Sequence, residues 1–350
     1  MEYDKPYKSF DELLDVLIKK HGLSTPLPPY AKDVLIGTPY YDLINGYKSH
    51  FMINDRFRDH VTFENIYWFH IFDRGFQNVL FELSIIIEDY FKNVLAHVLA
   101  KNFGVDASTY LAPENFVPYQ GRPPHRLSSK KLLGDLCVKW QHPTENPSLY
   151  YARKHNHIPP WILFKNITFS DSINLFSLLK RNEKKEILRI MLPCEIPYQD
   201  AFPILRYILT MVRRCRNTIA HGLKFTEFDV SYYYKNLSKS ALRKIIPVCL
   251  LSDEELSSGR LCHGIYGYIF FCLLLIRSPL EKAILTNHII QYMSPGHTIP
   301  SVSISNLSME IKFREQLGKE YLDALHIPAN FTSRLTTYLK DINIATYRKR

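Results

Sequence analysis

The densest group of chemically useful side chains in this 350-residue chain is RRCRNTIAHG, Arg213 to Gly222. On a helix of 3.6 residues per turn, Arg213, Asn217 and His221 fall at i, i+4 and i+8 on one face, with Arg216 beside them. Two guanidinium groups, an amide and an imidazole therefore converge on one small patch. At a helix C-terminus the macrodipole favours a cationic imidazole, which places His221 to exchange a proton as general acid or base. Such a set suits RNA cleavage without a metal. The ribose 2′-hydroxyl, once deprotonated, attacks the neighbouring phosphorus, and the 5′-oxygen is protonated as it leaves. An arginine holds the charged phosphate through two hydrogen bonds. The products would be a 2′,3′-cyclic phosphate and a 5′-hydroxyl. Two acid/base groups are needed and one motif supplies one histidine, so a second His221 would come from a symmetry-related chain across an isologous interface. The plain alternative stays open: Arg216 in a surface ion pair and His221 as a helix-capping residue, because an arginine followed five positions later by a histidine is a common chance spacing.

A second concentration of chemistry lies upstream. Between Gly104 and Pro160 helical periodicity weakens while prolines, histidines and cations accumulate. Arg122, Arg126, Lys130, Lys131, Arg153 and Lys154 are candidates to grip a phosphate backbone, and Tyr119, Trp140, Tyr150 and Tyr151 candidates to stack on unpaired bases. A solvated charged loop is the equal alternative. His155 and His157 form an HxH, but two ligands without a nearby cysteine or carboxylate make a poor metal site, and RNA or solvent contact is the preferred reading. The six cysteines, Cys137, Cys194, Cys215, Cys249, Cys262 and Cys272, are scattered without a CxxC pair, which points to reduced, buried thiols and neither disulfides nor zinc. No metal or other cofactor is expected.

The elements that must position these residues read as helices. Ser9 and Glu12 form a capping box ahead of Leu13, Leu14, Leu17 and Ile18, and Gly22 stops that turn of chain. Pro26, Pro28 and Pro29 precede a helix near Ala31 to Ile36. From Phe63 to Phe103 apolar residues recur every three or four positions, giving one long helix with a candidate break at Gly75. Its aromatic positions share the apolar stripe, so core packing is favoured over base stacking. The 104–160 segment carries one helix around Leu127 to Trp140. Helical periodicity returns over Ser170 to Met191 and over Tyr198 to Ala220. Further helices are expected at about Ser238 to Leu250, Leu261 to Arg277, Leu280 to Tyr292, Ile311 to Leu325 and Asn330 to Lys340. Strand-like alternation is scarce, so the class is all-α. The expected organisation is an N-terminal helical region (1–60), a helical core with the inserted basic, proline-containing segment (61–225), and C-terminal helices packing on that core (226–350).

Composition sets the outer bounds. With 46% hydrophobic residues the chain can bury a large core. Lys and Arg outnumber Asp and Glu by 44 to 34, for a formal charge of +10, which favours polyanionic partners, although many soluble proteins are mildly basic. The opening MEYDKPYKSFDELL lacks the basic and then apolar pattern of a signal peptide, so a cytoplasmic protein is expected. The most apolar run, Leu261 to Ile276, is shorter than a bilayer span and contains His263, Gly264 and Gly267, which favours a buried core helix and no membrane partner.

Five ordered blocks carry a resemblance. KPYKSFDELLDVLIKKHGL, PYYDLINGYKSHF, TFENIYWFHIFDRGFQNVLFELSIIIEDYFKNVL, IPPWILFKNITFSDSINLFSLLK and RNTIAHG together resemble the Abi family of bacterial abortive-infection proteins, a branch of the HEPN superfamily. The resemblance implies a HEPN-like helical bundle, a homodimer that brings two Arg-x4-His motifs together, and metal-independent endoribonuclease activity. It also implies toxicity released by phage infection and, for some relatives, a structured small RNA as partner. Residue by residue, it implies that Arg216 contacts the scissile phosphate, Asn217 orients it and His221 handles the proton. Glu88 and Lys92, at i and i+4 on the long helix, would form the polar pair that such proteins aim at the motif, unless they are an ordinary intrahelical ion pair. Two positions depart from the family pattern: Gly222 follows the histidine where a polar residue is common, and Lys92 stands for an arginine, a point charge lacking the planar fork. The C-terminal third matches only through LHIPANF, and the terminal TYRKR reads as a frayed tail. Three functions follow in order: a metal-free endoribonuclease, a non-catalytic protein holding a structured small RNA, and a helical interaction protein whose motif merely caps a helix.

Overall fold

A computed structural model describes residues 5–121, 127–234, 236–293 and 319–348, with side chains to 341. Helices account for 69% of the described residues, and the only sheet among them is a two-stranded antiparallel ribbon, Met52–Ile53 with Arg56–Phe57. The fold is all-α. The chain divides into two compact units: Met1–Phe81, Asn217–Asp229 and Asn287–Thr332 form one, and Glu82–Arg216, Val230–Thr286 and Ser333–Arg350 the other.

In the first unit the opening helix, Phe10–Asp15, begins with the expected capping box: the Ser9 hydroxyl accepts from the Glu12 N–H, and the Glu12 carboxylate accepts from the Ser9 N–H at 2.7 Å. Gly22 stops the following turn at φ +72°. Helix Pro28–Gly37 starts on Pro28 and Pro29, whose missing N–H groups cost nothing in a first turn. The long helix enters this unit at Phe63 and runs without interruption to Phe103. Gly75 is not a break. A Cβ there would lie 2.0 Å from the Tyr292 hydroxyl, which donates to the Phe72 carbonyl at 2.8 Å. The glycine is a site of close approach. Under it Phe69 and Phe76 are fully buried, and Tyr321 meets both rings edge-on at 5.3 and 5.8 Å. Stripe aromatics here are core, as their periodicity indicates. Residues 319–324 are helical; the earlier part of the expected 311–325 helix lies outside the described residues.

The second unit is built around Ile265–Leu275, in which all eleven residues are buried. A helix apolar on every side belongs at the centre of a core. No helix among the described residues is long and apolar enough to cross a membrane. The 104–160 segment contributes to this core: Tyr110 is fully buried and donates to the Ile158 carbonyl at 2.9 Å, and helix Ser129–Gln141 buries Leu132, Leu133 and Leu136. It also holds two short helices the periodicity does not reveal, Ala107–Tyr110 and Ser148–Lys154. The stretch expected as one helical run is two, Phe169–Leu178 and Arg181–Met191, because Leu179 turns extended to bridge Phe116 while the Leu178 carbonyl accepts from the Val117 N–H at 2.7 Å. The later helices are Lys239–Ile245, Pro279–Met293 and Phe331–Arg348. All six cysteines are free. Cys215, Cys262 and Cys272 are buried as expected, whereas Cys194 is exposed and Cys137 and Cys249 are half-buried.

Candidate functional site

The motif helix spans Tyr198–Ala220, the bounds its apolar periodicity predicts. Its end is a Schellman turn: the Gly222 N–H donates to the Ile219 carbonyl at 3.1 Å and the Leu223 N–H to the Thr218 carbonyl at 2.9 Å. Gly222 sits at φ +63°, a conformation that disfavours any residue with a Cβ. This accounts for the glycine after the histidine. His221 is thereby the capping residue, its own N–H donating to the Asn217 carbonyl at 3.0 Å and its side chain exposed. Arg213, Arg216 and Asn217 are half-buried on the preceding turns. The division between the two units falls between Arg216 and Asn217.

Within the first unit the Gly222 turn lies against a part of the long helix that the sequence reading did not select. A Cβ on Gly222 would stand 3.0 Å from Arg74 Nη2 and 3.6 Å from Asp42 Oδ2. Arg74 faces Asp42 at 3.5 Å and donates to Gln77 Oε1 at 3.3 Å. Next to them Asp73 is buried and accepts three hydrogen bonds, from the Tyr47 hydroxyl at 2.7 Å, the Tyr321 hydroxyl at 2.6 Å and Gln77 Nε2 at 2.6 Å. Burial raises its pKa against the pull of those three donors. Gly222, Arg74, Asp42 and His70 line a cavity of about 20 Å³, room for about one water. The signal available beforehand was the FDRGF block, noted for its resemblance and not for its charges.

Glu88 and Lys92 occupy the second unit. Lys92 Nζ pairs with Glu88 Oε1 at 2.7 Å and donates to the Ile167 carbonyl at 2.7 Å, with both side chains at least 87% buried. The pair ties the long helix to the chain following the Pro-Pro-Trp segment. Breaking a buried pair of this kind costs about 3–5 kcal/mol, far more than an exposed one.

The same unit carries a groove of about 910 Å³. Lys131 and Arg213, selected from sequence, both line it, and Tyr119 is at its wall. Arg213 Nη1 donates to Ser170 Oγ at 3.4 Å. Lys184 and Arg206 also line it and were missed, as were Tyr232 and Tyr233. Arg206 had a readable signal, since it precedes Arg213 by two helical turns on the same face. Lys130, Arg153 and Lys154 are exposed and do not line the groove, and Arg122 and Arg126 lie outside the described residues. Among the proposed stacking residues Tyr119 and Tyr150 are exposed and Trp140 and Tyr151 half-buried. His155 packs against the Tyr151 ring at 4.5 Å, and His157 Nδ1 lies 2.7 Å from Asn156 Oδ1.

Comparison with family models matches the Abi-like protein family over residues 33–226, more than half of the chain and inclusive of the whole motif helix. The chain belongs to the Abi-like family. Neither the curated proteins nor the solved structures contain a match. The matched span of this Abi-like protein takes in Asp73 with its partners Tyr47 and Gln77 but not Tyr321, together with the Glu88–Lys92 pair, the 104–160 segment and the Gly222 turn. Residues 1–32 and 227–350, including Tyr232, Tyr233 and the buried Ile265–Leu275 helix, lie beyond it. Membership points to abortive infection as the biological setting.

Proposed function

We propose that this Abi-like protein is a metal-independent endoribonuclease of the HEPN type, a toxin of an abortive-infection defence against phage. Arg216 holds the scissile phosphate, Asn217 orients it, and His221 moves the proton between the 2′-hydroxyl and the leaving 5′-oxygen. Two copies of the motif from a homodimer supply the acid and the base. The observation that carries the reading is a half-buried arginine and asparagine followed, at a glycine-terminated helix end, by an exposed histidine in a chain of this family. An exposed imidazole at a helix C-terminus can exchange protons with a bound polymer, and the adjacent guanidinium is only half-buried, so a phosphate can reach it.

The test is His221→Ala in purified full-length protein with single-stranded RNA. Cleavage is expected to fall by about 10²–10⁴-fold, the range for loss of a general acid or base, with RNA affinity retained and EDTA without effect. Undiminished cleavage in the variant, or loss of wild-type cleavage in EDTA, overturns the mechanism. A non-catalytic protein that holds a structured small RNA is the second reading, and the cationic, tyrosine-lined groove favours it independently of the motif. Absence of cleavage by the wild type together with tight, salt-dependent RNA binding selects it.

A further inference from the structure

Lys184 is a charged residue placed where water barely reaches it. Its side chain is buried to about nine-tenths, yet it lines the open groove of the second unit. It forms no ion pair with a carboxylate among the described residues. Its ammonium sits 4.6 Å above the Phe202 ring, and the Arg206 guanidinium approaches the same ring at 5.8 Å. Burial, and secondly Arg206, push the Lys184 pKa down. The buried Lys184 ammonium and the exposed Arg206 guanidinium thus share one ring, and no carboxylate among the described residues pairs with either, so an anion bound in the groove would meet both cations.

The rest of the lining is consistent in sign and in kind. The groove carries Lys131, Lys184, Arg206 and Arg213 against Asp135 and Asp171, four cations to two acids. Arg206 and Arg213 are two turns apart on one face of the motif helix, so their spacing of about 10 Å along the axis follows from the rise of 1.5 Å per residue. Two cations set this far apart along the helix suit separate phosphates of one extended strand more than a single small anion. Three tyrosines line the groove as well. Tyr232 is 72% exposed and meets Tyr233 edge-on at 5.3 Å and 89°, and Tyr119 is half in solvent. No core requires these rings. Arg214 stands over Tyr233 at 5.6 Å and braces it from outside the groove. Cations and exposed ring faces lining one groove match an unpaired polynucleotide, whose phosphates need charge and whose free bases need a stacking surface.

We propose that this groove is a binding track for single-stranded RNA, with phosphates against Lys184, Arg206 and Arg213 and unpaired bases stacked on Tyr119, Tyr232 and Tyr233. The proposal rests on the RNA-directed reading above and names where the strand lies; it does not depend on cleavage. Duplex RNA is the wrong ligand, because its bases are not free to stack.

The experiment measures binding to a substrate that cannot be cut. Fluorescence anisotropy with a 2′-O-methyl oligouridylate of about 12 nucleotides, within the usual span of single-strand sites, is compared for the wild-type chain, Lys184→Met, Arg206→Gln, Tyr232→Ala and the control Lys19→Met. Each groove variant is expected to weaken binding about tenfold, and each charge removal to lower the slope of log affinity against log salt by about 0.7. Lys19→Met, an exposed lysine of the other unit, should leave both unchanged. Tyr232→Ala keeps the test decisive if the buried Lys184 variant fails to fold. Wild-type affinity in Arg206→Gln and Tyr232→Ala overturns the proposal, as does equal affinity for a blunt RNA duplex of the same length. Because the ligand lacks a free 2′-hydroxyl, these outcomes are independent of His221: weak binding in the groove variants beside full cleavage in His221→Ala would retire the catalytic assignment and keep the track.

Discussion

His70 shows how strongly a single residue in this chain is governed by its surroundings. Burial, and secondly the nearby Arg74 cation, push its imidazole down to about 4, with Asp42 opposing. Its Nδ1 lies 3.1 Å from the Tyr47 hydroxyl, and since that hydroxyl donates to Asp73, the imidazole is the donor in the pair. The folded value lies below the unfolded one, so between pH 6.5 and about 4 the unfolded chain binds the extra proton. Stability from this residue is complete above pH 6.5 and is lost as the pH falls towards 4, for a total of about 3 kcal/mol. Urea unfolding across that window should show the loss in the wild type and a much flatter dependence in His70→Gln; parallel curves would remove His70 as the cause. Within the FHIFDRGF string only Arg74, four residues on, bears on the His70 pKa; the larger cause is burial by packing, which the string does not show. Gly222 is the opposite case. Its φ of +63° follows from a requirement local to the helix end, and a glycine after the last apolar position of a helix is readable as such.

At the scale of elements, periodicity located helices well and their interruptions badly. The motif helix and the long helix occupy the spans their apolar stripes indicate. The expected break at Gly75 is absent, and the break at Leu179 is present without any Gly or Pro to announce it. Each turns on a partner far along the chain: Gly75 leaves room for Tyr292 inside an unbroken helix, and Leu179 leaves the helix to bridge Phe116. Gly75→Ala tests this. In an isolated helix alanine would stabilise by about 1 kcal/mol. Here the added methyl meets the Tyr292 hydroxyl, and the expected result is a net loss of about 1–3 kcal/mol, the usual cost of overpacking. A gain in melting temperature would show that the tyrosine moves aside freely.

On the scale of the whole molecule, the formal charge of +10 concentrates meaning only where the fold gathers it, as in the groove of the second unit. The proposed pairing of two motifs makes a further demand: cleavage per chain should fall on dilution through the dimer dissociation range, and sedimentation should show monomers over the same range. Specific activity independent of concentration where the protein is monomeric would refute the shared site. What the amino-acid order determines by itself is the all-α class, the extent of the long and motif helices, the turn at Gly222 and the Arg-x4-His spacing. These depend on backbone dihedrals and on side-chain repeats within a few turns, which are local quantities. The tertiary structure alone decided that Tyr119, Lys131, Lys184, Arg213 and Tyr232 line one groove, and that Asp73 meets Tyr47 and Tyr321. Those meetings join residues tens to hundreds of positions apart, and they arise from how buried faces fit one another, which no local repeat encodes.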